Sequence, residues 1–337
     1  MINNFYTHRG INNFHTHRGS NNFYTHIFFR ESIASDWYIT GLNIRCFLGE
    51  EARKKHLDFF FKAYTDLESK GFAPLAIFFP RLPLVGPAAE CVRIRQSIYQ
   101  VLQPIVEERV GAGERHPDYL DSLLQAGMPL EQVLVRLNGI FFAAHVNTVK
   151  TLLWAIINLI KYPDTLAWIR EDVDRVYEES DGHPTAQDLV KLNRIEWLFK
   201  EGMRTLVFSQ LSRDLLTDLE WEGYLLPQGD QVAICPVLAN LDPALVGPSP
   251  QEFRPQRWAD ANASADNFFG GGGTRCKGEQ FASQVLKVSV ATLVREYNFS
   301  LLGKCAADVK PHFDGLGSPT PEGNTLRVRI VPRAHRD

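Results

Sequence analysis

A run of apolar residues from Pro129 to Tyr162 governs what this chain can become. Within it Leu134, Leu137, Phe141, Ala144, Thr148, Leu152, Ala155 and Leu159 recur at intervals of three and four, the spacing of one helix face. At about 1.5 Å per residue, roughly 30 residues cover ~45 Å, the width of a whole domain. A helix of that length must cross the interior, and the rest of the chain must wrap it. Pro163 supplies its end. A membrane span is the competing reading. His145, Asn147, Lys150 and Asn158 interrupt the run, and charge at bilayer depth is costly.

Composition agrees with a globular protein built around such a helix. Hydrophobic residues make up 45% of the 337 and charged residues 22%, enough apolar surface to offset the entropy lost on ordering a core. Lysine and arginine total 36 against 39 acidic residues, a net charge of −3, which argues against nucleic acid as a partner. Cys46, Cys91, Cys235, Cys276 and Cys305 are odd in number and never two residues apart, so neither a disulfide framework nor a zinc ribbon is expected. A reducing compartment follows as the default.

Residues 1–35 read as a repetitive disordered leader. A nonamer beginning Asn-Asn-Phe starts at Asn3, Asn12 and Asn21, without apolar periodicity and too short for a solenoid unit. Its histidines, His8, His15, His17 and His26, share a spacing that duplication alone produces, so metal binding is not the expectation. No secretory signal is visible there. From Asp36 onward the pattern is one mainly helical domain, 36–337, with small β-sheets. Helices are expected near 50–69, 88–110, 164–180 and 192–206, with a break at the prolines Pro74, Pro80, Pro83 and Pro87. Glu220–Leu226 and Gln231–Cys235 are β-prone, and Pro227-Gln-Gly229 marks a turn between them.

The chemistry concentrates in Phe268-Phe-Gly-Gly-Gly-Gly-Thr-Arg-Cys-Lys-Gly278, which a helix pattern follows from Glu279 to Tyr297. Four successive glycines suit neither helix nor strand. They do suit a backbone pressed against a flat cofactor. Cys276 then lies at the start of a helix, where unpaired N–H groups favour a thiolate and hence a metal ligand. Phosphate binding would need Gly-Lys-Ser/Thr after the glycines, where this chain has Arg275-Cys-Lys-Gly. A plain flexible loop with an incidental cysteine is the bland alternative.

Here the chain resembles the cytochrome P450 family of haem-thiolate monooxygenases. The family's loop, Phe-Gly-x-Gly-x-x-x-Cys-x-Gly, is matched by Phe269, Gly270, Gly272, Cys276 and Gly278. The resemblance implies haem b, with Cys276 as the axial iron ligand. Two before the cysteine, where the family carries arginine or histidine for a haem propionate, stands Thr274, with Arg275 next to it. Glu201-Gly-Met-Arg204 resembles the family's Glu-x-x-Arg, and Phe253-Arg-Pro-Gln-Arg257-Trp258 resembles the segment whose arginine completes a buried Glu-Arg-Arg network. Arg213 falls where a second propionate-binding arginine is often placed.

On the central helix the family's acid and alcohol, which relay protons, are replaced by Val146 and Asn147 within Ala143-Ala-His-Val-Asn147-Thr148. The resemblance assigns Ala144 and Asn147 to the catalytic position. This variant, with Thr274, is similar to the sterol 7α-hydroxylase and prostacyclin synthase clan, of fungal type. His145 is expected to be a hydrogen-bonded core residue rather than an iron ligand. The family's partners would be O2, a lipophilic small molecule and NADPH-cytochrome P450 reductase or a similar donor. The resemblance starts near Leu42–Gly49, so the expected fold is that of a cytochrome P450 lacking its N-terminal part. Membrane anchors of full-length relatives in the endoplasmic reticulum precede that point, and none is expected in this chain. The readings that follow are monooxygenase, P450-type isomerase, or a truncated fragment without catalysis.

Overall fold

The computed structural model describes residues 25–30, 33–71, 86–113, 115–206, 211–260, 268–301, 309–312, 319–321 and 325–333. The leader up to residue 24 and most of the proline-rich break lie outside them. The helices are α1 (Ile33–Leu48), α2 (Glu50–Gly71), α3 (Pro87–Ala112), α4 (Tyr119–Gln125), α5 (Leu130–Lys161), α6 (Pro163–Glu179), α7 (Ala186–Val190), α8 (Asn193–Leu206), α9 (Pro236–Asn240), α10 (Pro243–Val246) and α11 (Glu279–Glu296). The strands are short: β1 (Thr25–Arg30), β2 (Leu211–Asp214), β3 (Leu219–Trp221), β4 (Tyr224–Leu226), β5 (Gln231–Ile234), β6 (Tyr297–Leu301), β7 (Pro311–His312), β8 (Thr320–Pro321) and β9 (Thr325–Pro332). The mainly helical fold with small sheets is therefore as the sequence indicates.

The long helix α5 has 32 residues and is the axis of two cores. Its first half sends Val133, Leu137 and Phe141 into a cluster with Ile44 and Phe47 of α1, Phe60 and Tyr64 of α2, and Leu102 of α3. Phe141 stacks on Phe60 at 5.4 Å and on Tyr64 at 5.6 Å between ring centroids. Its second half places Val149, Leu152 and Leu159 among Ile169 and Val173 of α6, Leu198 of α8 and Val290 of α11. Each such side chain contributes roughly 1.5–3 kcal/mol by leaving water. Among the described residues α5 alone is long and apolar enough to cross a bilayer, but most of that stretch is buried against the other elements. It is a core helix.

Three departures from the sequence reading have physical causes. The leader does not extend to 35: Thr25–Arg30 pairs antiparallel with β9, which lies between β1 and β6, and α1 begins at Ile33. Glu220–Leu226 is not one strand but the hairpin β3–β4, reversed by positive φ at Glu222 (49°) and Gly223 (83°). The second β-prone piece pairs not with that hairpin but with β2, in the register Leu211↔Ile234 to Asp214↔Gln231. The turn at Pro227 is present, with the Asp230 N–H donating to the Pro227 carbonyl at 3.2 Å.

Candidate functional site

Cys276 is exposed and lies three residues ahead of α11, whose N-cap is Gly278. Its main-chain N–H donates to the Phe269 carbonyl at 2.8 Å, closing the glycine loop into a narrow turn. Gly270 (φ 74°) and Gly272 (φ 62°) occupy the left-handed region, where a side chain costs about 1–2 kcal/mol, so these two glycines are needed for shape. Gly278 is not required on the same ground: a Cβ there would stand 3.8 Å from the Cys276 Sγ, an ordinary contact. Beyond the loop, Phe281 of α11 packs against both cores, with its ring 5.2 Å from that of Phe47. The loop is thus carried on an anchored helix.

Arg213 reaches the loop from β2. Its guanidinium donates to the Gly271 carbonyl at 3.2 Å and to the Thr274 hydroxyl, so the cation sits beside the position where the family's own loop residue is replaced. Arg275, also expected to face the cofactor, is engaged elsewhere: it holds both oxygens of Glu279 at 2.7 Å, one helical turn on. The structure therefore brings Arg213 and Thr274 together at the loop and turns Arg275 toward α11.

The charged network expected at Glu201, Arg204 and Arg257 is complete and buried, with exposures of 0%, 0% and 4%. Glu201 accepts from Arg204 Nε (2.9 Å) and Nη2 (2.8 Å), Arg257 Nε (3.0 Å), the Arg254 main-chain N–H (2.8 Å) and Trp258 Nε1 (3.0 Å). The remaining guanidinium donors reach carbonyls of Asn240, Pro250, Glu252, Val246 and Ser249. No charge is left without a partner, the condition under which a buried ion network is stable. Trp258 extends it to the cysteine loop, because its ring meets Phe268 edge-on at 5.5 Å. Sequence reasoning missed that role, although Trp258 and Phe268 both stand in the motifs it used.

On α5, Asn147 is exposed together with Gly139 and Ala143, one turn apart along a single strip, whereas Ala144 is half-buried against the first core. His145 is 1% exposed and faces inward. Its Nδ1 lies 3.3 Å from the Thr40 hydroxyl, and its Nε2 lies 4.0 Å from Asp36 Oδ1 without a hydrogen-bond partner. Burial lowers its pKa to about 4, with Lys150 adding repulsion. It is a neutral core residue within reach of the Thr40 hydroxyl, as expected of a single histidine on the main helix.

These donors fit a haem better than a bare metal ion. Among the described residues no group of three or more His, Cys, Asp or Glu side chains could enclose an ion. The side-chain-free loop beside Cys276 suits a flat macrocycle that brings its own equatorial donors to a metal. An exposed cysteine on a glycine loop beside a buried Glu-Arg-Arg network, on a mainly helical domain, is the arrangement that resembles the haem-thiolate class.

Comparison with known proteins agrees. The cytochrome P450 family model matches residues 12–326, and the chain belongs to that family of haem-iron monooxygenases. It is 26% identical to β-amyrin 11-oxidase of Glycyrrhiza uralensis over 70% of this chain and 51% of that protein. It is 29% identical to psoralen synthase of Ammi majus over 77% of this chain and 56% of that one. Lanosterol 14-α demethylase of Cunninghamella elegans is 25% identical over 86% of this chain and 62% of that protein. The chain thus spans about half to three-fifths of these relatives. Retinoic-acid-bound cyanobacterial CYP120A1 shares the fold with a TM-score of 0.76 at 22% identity, covering 94% of this chain and 71% of its own.

Proposed function

We propose that this chain is a haem-thiolate monooxygenase that inserts one atom of O2 into a lipophilic small molecule, with electrons from NADPH-cytochrome P450 reductase or a similar donor. The observation that carries it is the Cys276 loop: an exposed thiol, fixed by its own N–H to Phe269, on a glycine turn held beside a cation. A sterol, a terpenoid or another secondary metabolite is the substrate class. β-Amyrin, lanosterol and retinoic acid, in the names of the relatives, are all lipophiles.

Haem, when bound, supplies the redox-active iron. Cys276 would hold that iron through its sulfur, on the turn its own N–H closes to Phe269. Arg213, beside Thr274, would offer its guanidinium to the group's carboxylates. Asn147, on the exposed strip of α5, would hold water by its amide and so help deliver the two protons that hydroxylation consumes. Gly139 and Ala143 keep the strip low.

Isomerisation of a peroxide is the second reading, favoured by one observation: Val146 and Asn147 stand where an acid and an alcohol would relay protons. Isomerisation needs neither protons nor external electrons. It goes with the assignment to the sterol 7α-hydroxylase and prostacyclin synthase clan, of fungal type. The haem-loaded chain separates the readings. Product formation that requires reductase and O2 supports hydroxylation, and peroxide turnover without electron supply supports isomerisation. Neither, in a chain that binds haem, would make it a non-catalytic fragment.

A further inference from the structure

The end of α5 is tied to the buried charge network by a pair of rings. Tyr162 is the single residue between α5 and α6, closing one helix and opening the next, and its φ of −122° and ψ of 80° belong to neither. Pro163 follows in the first turn of α6, and a residue before proline is sterically disfavoured from staying helical. Both backbone polar groups of Tyr162 are used. Its N–H donates to the Asn158 carbonyl at 2.9 Å, and its carbonyl accepts from the Leu166 N–H at 3.1 Å. The elbow is fixed, and with it the place of the ring.

That ring stacks on Phe253, with centroids 4.6 Å apart and planes 13° from parallel. Phe253 is clamped on either side by the network. The Glu252 carbonyl before it accepts from Arg204 at 3.1 Å and from Arg257 at 2.9 Å, and the Arg254 N–H after it donates to Glu201 at 2.8 Å. Burial raises the Tyr162 pKa and the Glu201 and Glu252 carboxylates add to the effect, so the ring stays a neutral phenol beside the network. One turn back along α5, Asn158 Nδ2 would stand 3.7 Å from a Cβ on Gly202, the neighbour of Glu201, so α5 runs close to α8 there too.

The two cores grip α5 through apolar contacts, which are non-directional. A stack of rings has a preferred geometry and supplies direction. From the elbow, Asn147 lies roughly 22 Å along the helix axis. At the other end of the network, Trp258 donates to Glu201 and meets Phe268 at the root of the Cys276 loop. A tilt of about 5° at the elbow therefore moves Asn147 by roughly 2 Å relative to that loop, and a misplacement of ~1 Å can cost about a hundredfold in rate. We infer, on the strength of the haem-thiolate reading of the loop, that the Tyr162–Phe253 stack is the joint that sets α5, and so Asn147, against the Cys276 loop. Tyr162 and Phe253 are thus positioning residues for the reaction.

The haem-loaded chain tests this through the infrared C–O stretch of its reduced, carbon-monoxide complex, a band that senses polar groups beside the bound gas. Tyr162→Leu and Phe253→Leu keep an apolar side chain and the backbone bonds on either side. Each should shift or broaden the stretch, and the double variant should do no more than either alone. Tyr162→Phe, which keeps the ring, should retain the wild-type band. Ile169→Val, which loosens the core against the same half of α5, should lower the thermal midpoint and leave the band in place. A second readout needs no haem: Tyr162→Leu should speed hydrogen exchange at amides 268–276 as well as 157–161. The stretch decides where a variant holds haem, and exchange decides where it does not. A stretch unmoved by both leucine variants, or moved equally by Ile169→Val, overturns the joint, as does faster exchange confined to 157–161. A wild-type chain that lacks the thiolate Soret band defeats the haem-thiolate reading itself, a different result from any of these.

Discussion

Glu201 accepts five hydrogen bonds in complete burial, whereas Cys276 stands exposed on a loop whose shape depends on glycine and on a single main-chain bond to Phe269. One region has every charge partnered inside the protein. The other has its reactive group turned outward. They meet through Trp258, which donates to Glu201 and touches Phe268 at the root of the loop. The difference teaches a division of labour: side-chain charges, which would be costly to rearrange, form the brace, and backbone conformation shapes the surface that receives a flat group.

Cutting the brace has the largest expected effect. Glu201→Ala leaves Arg204 and Arg257 buried without their carboxylate, a loss of about 3–5 kcal/mol. A fall of that size in the unfolding free energy from urea titration is expected, and a change within 0.5 kcal/mol or so of wild type would show that the brace is not what holds this region.

A buried polar group that is only partly satisfied sharpens the contrast. His145 has its pKa lowered from the usual 6.5 to about 4 by burial. The unfolded chain takes up a proton near pH 6.5 and the folded chain resists it. Stability is thus full above that pH and falls by up to about 3 kcal/mol as pH drops toward 4. Asp36 at 4.0 Å and Thr40 face the ring from α1, Tyr64 from α2 and Lys150 from its own helix. Urea titrations of wild type and His145→Leu across this range should diverge in slope. Parallel curves would remove His145 as the cause.

The smallest effect belongs to the loop. Gly270→Ala meets only the Thr274 carbonyl at 3.7 Å, an ordinary contact, so its cost is the positive φ alone, about 1–2 kcal/mol. It should fall on the loop, read as faster haem loss, with the thermal midpoint of the helices nearly unchanged. An equal loss in the helical core would contradict the division.

The helices were legible because their signals are local. Pro129 and Pro163 bracket α5, and the three-and-four spacing between them places it within a residue at either end. The hairpin was not legible, since Glu222-Gly223 lacks the Asn-Gly signature of a tight turn and Pro227 beyond it gave the stronger break. β1 was hidden in a repeat without periodicity, and its partner β9 is nearly three hundred residues away in sequence. At the site, the motifs named Cys276, Glu201, Arg204 and Arg257. They could not say which arginine lies over Thr274, because Arg213 and Arg275 differ only in where the fold sends their side chains.

The central claim is that the Cys276 sulfur is the axial ligand of a haem held on this loop. Reduced, carbon-monoxide-treated chain reconstituted with haem should show the red-shifted Soret band of thiolate ligation, and Cys276→Ser, with its helical circular dichroism intact, should lose that band. An identical red-shifted spectrum from both proteins would contradict the account.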